Sequence, residues 1–336
     1  MSGQAGADRL GESSSPISRI ILGGPFGREP AADSFAKLDR FRDAGGSLVE
    51  TSYSYARGAS KEILGEWFRA NPGSLGVVTK VGHDLRGADI PLERNLVVAH
   101  VDETLEVLGV ETLDVVMYHC DDPHREVGEL AETLRHLVSS GRARRVGASN
   151  WDASRLDGLA TAFGGAGAPI VASYHRSLAD PDPGLLADLG LHADAQILDV
   201  VRSHRMPLLS WSAQAQGYFS RSAPRLSDHP DPFDTPTSRH RRARAAAMAD
   251  ALGASIGADV VALAWTLHQE NTWATIGPAS TAQLDASLAA ASVTLTASQR
   301  EWLEGDSAPS SPESEASAIS QPLVAQLHHP LASEQG

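Results

Sequence analysis

The segments SLVETSYSYARG (residues 47–58), LGVVTKV (75–81) and LDVVMYHC (113–120) are built to one plan. Each opens on a short β-branched and apolar run and closes on reactive side chains: Glu50 and Tyr55, then Lys80, then His119. A strand buried on both faces carries no alternating polar residues, so polar side chains at its end mark the mouth of a parallel barrel. Successive strands that deliver chemistry to one end therefore predict a rim that carries the active site.

Outward from these segments the same unit recurs. Strands are expected at residues 19–24 (RIILGG), 47–52, 75–81, 113–119, 144–149 (RRVGAS), 169–175 (PIVASYH), 207–212 (PLLSWS) and 272–277 (TWATIG). Amphipathic stretches such as AADSFAKLDRFRDAGG (31–46) and LERNLVVAHVDETLEVLG (92–109) lie between them and end in glycines suited to a helix C-terminus. Alternation of this kind predicts an α/β fold. Eight units match a (β/α)8 TIM barrel in count and length, here spanning residues 19–304 with no repeat of fixed period. Residues 1–18 read as a flexible N-terminal extension, and residues 305–336, with SAPSSPESEASAISQ, as a partly disordered tail whose PLVAQLHHPL packs back on the barrel. The proline-, serine- and aspartate-rich stretch 216–239 is too long for an ordinary connection and reads as a functional loop.

Composition narrows the function. A chain of 336 residues with 42% hydrophobic content supports a large core without disulfides, and its single cysteine, Cys120, excludes an internal disulfide framework. No apolar run approaches a membrane span and MSGQAGADRLGESSS has no hydrophobic core segment, so a cytoplasmic protein is expected. The net charge of -14 repels nucleic acid and acidic membranes and favours a small-molecule partner. Lysine occurs only at Lys37, Lys61 and Lys80, which singles out Lys80, since a tunable amine is not replaceable by guanidinium. The arginine-rich, lysine-poor balance suits a GC-rich bacterial genome, where such enzymes often serve secondary metabolism. His119, Cys120, Asp121, Asp122 and His124 cluster in sequence, but without His-x-His or His-Glu-x-x-His spacing, so no metal site is expected.

The combination ETSYSYARGASKEILGEW, VVTK, VVMYH, GASNW, WSAQAQG and IGPASTAQL resembles the aldo-keto reductase superfamily from about Arg19 to Trp302. The family motif Asp-Thr-Ala-x-x-Tyr stands here as Glu50, Thr51, Ser52, Tyr53, Ser54 and Tyr55. The resemblance implies an NAD(P)H-dependent oxidoreductase that reduces a ketone or aldehyde without a Rossmann domain, and no Gly-x-Gly-x-x-Gly follows any expected strand. Hydride transfer to a carbonyl builds negative charge on its oxygen, so the site needs a proton donor aimed at that atom. By chemistry and resemblance alike, Tyr55 is the general acid, Lys80 tunes its pKa, Glu50 holds Lys80 charged, and His119 orients the carbonyl. Glutamate is one methylene longer than the family's aspartate, which shifts the amine by about an ångström, a displacement that can slow a reaction roughly 100-fold.

The resemblance also implies a cofactor site. Ser149 and Asn150 bind the nicotinamide carboxamide, Ser173 stands where the family has glutamine, and Trp211 stacks on the ring. Gly24, Ser212, Gln214 and Gly217 continue that site, and Gly277, Ser280, Gln283 and Ser287 form the adenosine-phosphate loop. Gln283 and Ser287 replace the usual arginine and asparagine, so NADPH is the expected cofactor with NADH as the alternative. The run Arg239, His240, Arg241, Arg242 and Arg244 reads first as a solvated basic face and second as a phosphate contact. Phe26, Tyr53, Cys120 and Tyr218 are expected to line the substrate pocket.

Taken singly, each residue has an ordinary role: His119 a buried histidine, Lys80 a salt-bridge partner, Trp211 a core aromatic, Asn150 a helix cap. Two further functions stay open. One is a cofactor-binding regulatory or structural subunit without turnover; the other is a nicotinamide-assisted dehydratase or epimerase.

Overall fold

The computed structural model describes residues 9–10, 16–24, 26–182, 184, 193–220, 230–253 and 256–306. Most of the expected C-terminal tail, part of the loop 216–239 and most of the N-terminal extension lie outside the described residues. The rest forms a closed, wholly parallel barrel in the order β1 to β8. Its strands are β1 (Ile20–Leu22), β2 (Leu48–Glu50), β3 (Gly76–Val81), β4 (Leu113–Tyr118), β5 (Ala143–Ser149), β6 (Ile170–His175), β7 (Leu208–Trp211) and β8 (Thr272–Ile276). The barrel closes by pairing β1 with β8, Ile21 opposite Thr275.

Helices wrap the outside: α1 (Ala31–Asp43), α2 (Ala59–Ala70), α3 (Arg94–Leu108), α4 (Val127–Ser139), α5 (Ala153–Ala162), α6 (Ala195–Ser203), α7 (Pro236–Leu252), α8 (Ala258–Leu267), α9 (Thr281–Ala289) and α10 (Ala297–Leu303). Their ends follow local chemistry. Asp152, Asp194, Thr235 and Ser280 accept a backbone N–H of the first turns of α5, α6, α7 and α9. Gly109 ends α3 in the left-handed conformation that glycine adopts without strain. The cap of α5 is therefore Asp152, which leaves Asn150 for other work.

The strands alternate between two cores. Ile20, Leu22, Val49, Val77, Val116 and Val146 face the helices, whereas Ile21, Leu48, Val78, Val115, Met117, Val171, Leu209 and Trp273 fill the barrel. Leu10 joins this inner core at 4% exposure, and Arg9 donates to the Ser47 and Gly73 carbonyls. These two residues of the expected N-terminal extension therefore touch the barrel, where the inner core's apolar surface is better covered by a leucine than by water.

Candidate active site

A strand's side chains alternate, so the residue two places beyond an inward apolar residue also points inward, one layer higher. Applied to the inner core, this period places Gly23, Glu50, Lys80, His119, Ser149, Ser173, Trp211 and Thr275 as the next layer, one from each strand. All except Ser173 line one cavity of about 890 Å3. Hydrocarbon fills most of the layer beneath, and polar groups gather where the strands end.

At the cavity's deep end, Lys80 Nζ lies 2.8 Å from Glu50 Oε1, with both side chains buried. At that distance the ammonium and the carboxylate form a close buried ion pair, and Lys80 also interacts with the Tyr55 phenol. Glu50 Oε2 accepts from Thr275 Oγ1 at 3.4 Å. Burial alone would push Lys80 down, but the Glu50 carboxylate and Tyr55 outweigh it and the net direction is upward, so the amine stays charged. Lys80 Nζ lies 5.6 Å from the centre of the Tyr55 ring. Burial pushes the Tyr55 phenol up and the Lys80 charge pulls against it, with burial the larger. The expected lowering of the phenol by Lys80 is thus outweighed, because the site that holds the ammonium also removes water from the hydroxyl.

Tyr55 is presented by a one-turn helix, Tyr55–Gly58, whose Ala56 and Arg57 take left-handed backbone angles. Six of the eight non-glycine residues with positive φ among the described residues, namely Ala56, Arg57, Asn150, Ser212, Ala215 and Gln216, lie in the loops of this rim. Backbone strain gathers where function constrains side-chain direction.

His119 follows β4, its ring edge-on to Tyr55 at 5.6 Å between centroids and stacked on His83 at 4.0 Å. Its Nδ1 shares a hydrogen bond with Ser52 Oγ at 3.2 Å. Burial, then the positive charge of Lys80, holds its pKa down to about 2, so the imidazole is neutral.

Along the cavity from these groups run Gly24, Ser149, Asn150, Trp211, Ser212, Gln214, Gly217, Gly277, Gln283 and Ser287. Ser149 and Ser173 sit opposite each other across β5 and β6, and neither buried hydroxyl has a hydrogen-bond partner. Of the two, Ser149 lines the cavity, where an orphaned hydroxyl suits a ligand that supplies the missing partner. Asn150 donates to the His119 carbonyl at 3.5 Å and accepts from Trp211 Nε1 at 3.2 Å, which sets the indole against the cavity. Ser280 caps α9 through Gln283 N, outside the lining, while Ser287 Oγ donates to Gln214 Oε1 at 3.3 Å. A cavity of this size and polarity, ending at the N-terminus of a nine-residue helix, fits an elongated dinucleotide with an anionic end.

The four residues expected to line the substrate pocket lie elsewhere than in this cavity's lining. Phe26 is buried in the outer core. Tyr53 turns away from the cavity: its hydroxyl donates to Glu103 on α3 at 2.8 Å and its ring stacks on His100. Tyr218 donates to Asp234 at 3.3 Å beneath Arg242. Cys120 lies beyond His119, its thiol donating to Asp89 at 3.1 Å and pushed up to about 12 by burial and that carboxylate. None of the four lines the large cavity. Each stands near a strand end, where side-chain direction is set by packing against α3, α7 or the neighbouring loops. The basic run of α7 has other partners: Arg239 pairs with Asp234, Arg241 with Asp306, and Arg244 lies over Trp302. The reading of that run as a phosphate contact is set aside.

Gly23, Thr275 and Asp259 are among the lining residues that the sequence reading missed. Thr275 and Gly23 were within reach of the period-two rule, two places beyond Trp273 and Ile21. Asp259, in the first turn of α8, is brought in by the fold alone.

Comparison with known proteins agrees with this architecture. The chain is 25% identical over 278 residues to norsolorinic acid reductase stcV of Emericella nidulans, covering 78% of this chain and 69% of that protein. It is 23% identical over 340 residues to versiconal hemiacetal acetate reductase of Aspergillus parasiticus, covering 88% and 95%. Among solved structures, a glycerol dehydrogenase from Gluconobacter oxydans superposes with a TM-score of 0.70 at 21% identity, over 92% of this chain and 95% of that one. An aldo-keto reductase from Klebsiella pneumoniae in complex with NADPH superposes with a TM-score of 0.65 at 21% identity, over 87% and 92%. The sequence profile of the Aldo/keto reductase family matches residues 19–305, and the chain belongs to that family.

Proposed function

We propose that this protein reduces an aldehyde or ketone of a small molecule to the alcohol, with NADPH as hydride donor. The observation that carries the reading is the meeting of Glu50, Lys80, Tyr55 and His119 at one end of a cavity whose other walls suit a dinucleotide. The nicotinamide, when bound, supplies the hydride. Trp211 offers its ring a flat face, Ser149 and Asn150 meet its carboxamide, and Gln214, Gln283 and Ser287 hold the adenosine end.

The neutral His119 offers a ring N–H to the substrate carbonyl without adding charge to the site, provided Ser52 donates to its other nitrogen. Tyr55 gives its proton to the oxygen as negative charge develops there, and Lys80 stabilises the phenolate that results. Glu50 favours the charged form of Lys80 against the downward push of burial. Discrimination between NADPH and NADH is weak, because the described lining holds no arginine and includes Asp259.

NADPH oxidation by the purified protein over a panel of aldehydes and ketones tests the reading, with one alcohol expected per NADPH consumed. Tyr55→Phe should lower kcat by about 10²–10⁴-fold. Binding of NADPH with no turnover on any carbonyl would instead favour a regulatory subunit. Product formed without net NADPH consumption would favour a dehydratase or epimerase.

A further inference from the structure

A second hollow, of about 460 Å3, opens on the rim between the loops that follow β1, β2 and β3. Tyr55 lines both cavities, so the hollow adjoins the phenol that the proposed function sets against the substrate oxygen. Its walls carry Arg28, Arg57 and Arg86. None of these guanidinium groups has an ion-pair or hydrogen-bond partner among the described residues. Elsewhere arginines are mostly matched, as in Arg155 with Asp121, Arg142 with Asp102 and Arg40 with Asp285.

In a chain with 42 acidic against 28 basic side chains, three cations around one hollow without a facing carboxylate run against the overall balance. Asp84, an acid on which the Arg86 charge acts, has its Oδ1 engaged by the backbone N–H groups of Arg86 and Ala88. Arg57 is carried on left-handed backbone, with Ala56 before it in the same conformation, an arrangement that non-glycine residues adopt only at a cost. Arg28 is near enough for its charge to act on the Tyr55 phenol. Leu85, the exposed large hydrophobic among the described residues, adds an apolar wall.

We propose that this hollow seats an anionic group of the substrate, so that the preferred carbonyl compound carries a carboxylate or phosphate at the end away from its C=O. Guanidinium groups bind both anions through paired N–H donors, and like charges gathered at one rim are relieved when an anion enters. This inference rests on the carbonyl-reducing reading of the same site.

The test is a comparison of kcat/KM, with NADPH, for two matched pairs. One is para-carboxybenzaldehyde against its methyl ester; the other is glyceraldehyde phosphate against glyceraldehyde. The expected result is a preference of about tenfold for the charged member of at least one pair, carried mainly in KM and weakened by added salt. A lead in the first pair identifies carboxylate, and a lead in the second identifies phosphate. Arg28→Gln, Arg57→Gln and Arg86→Gln should each lower the ratio of charged to neutral substrate. Equal or inverted ratios in both pairs, with the neutral aldehydes turned over, overturn this inference and leave the carbonyl-reductase reading standing. A preference that survives all three substitutions overturns the assignment to this hollow. No NADPH oxidation with any of the four overturns the underlying reading and this inference with it.

Discussion

Protonation at the rim is decided residue by residue. Tyr55 keeps its proton because burial raises the phenol more than Lys80 lowers it, and Lys80 keeps its charge because Glu50 outweighs its burial. His119 loses the contest in the other direction and is held neutral, at about 2 against an ordinary 6.5. A group whose folded pKa is depressed contributes stability that is complete above its unfolded value and is lost as pH falls towards the folded one. His119 should therefore make the fold less stable as pH drops from about 7 to about 5, since the unfolded chain takes up a proton that the folded site refuses. His100 and His268 act in the same direction. Thermal unfolding across that range should show a shallower acid decline for His119→Asn than for the parent; an identical slope would contradict the burial of a neutral imidazole. The residue types of this site were legible in the sequence, because Glu50, Lys80 and His119 each stand directly after an apolar run. The directions of Tyr53 and Cys120 were not, since a side chain at a loop's start is aimed by its neighbours: Glu103 and His100 for one, Asp89 for the other.

At the scale of the element, strand periodicity turns a line of text into a surface. Leu48 and Glu50, Val78 and Lys80, Met117 and His119, and Leu209 and Trp211 are each two residues apart, the lower member in the inner core and the upper in the cavity. The strands expected from sequence match the observed ones to within a few residues, because parallel strands buried on both faces read as unbroken apolar runs. Helix packing is less legible. Gly65 on α2 is so close to α3 that a Cβ there would lie 2.1 Å from the Val107 carbonyl oxygen. Gly65→Ala should therefore force α2 and α3 apart and cost about 1–3 kcal/mol, as overpacking generally does. The midpoint of denaturant unfolding measures this, and an unchanged midpoint would mean that the two helices have room to slide. Nothing in the sequence around Gly65 marks it as different from Gly109, which only ends α3; the facing backbone makes the difference.

The whole molecule closes eight strands into a ring, and closure is what assembles the site. Glu50 and Thr275 are 225 residues apart yet share a hydrogen bond because β8 returns to β1, beside β2. A ligand that binds the folded cavity stabilises the entire fold in proportion to the logarithm of its concentration above Kd. NADPH should accordingly raise Tm, and NADH should do so with a Kd within roughly tenfold, given a described groove without arginine. A thermal shift for NADPH alone would contradict that account. By itself the sequence determined the (β/α)8 architecture, the family, and the four side chains that meet at the rim, because apolar runs, glycine stops and short motifs are local signals. Only the tertiary structure decided which aromatics turn away from the cavity, that Asp152 rather than Asn150 caps α5, and that Arg28, Arg57 and Arg86 share one hollow. Those outcomes depend on which loops become neighbours when the barrel closes, and proximity across a closed ring has no signature in sequence spacing.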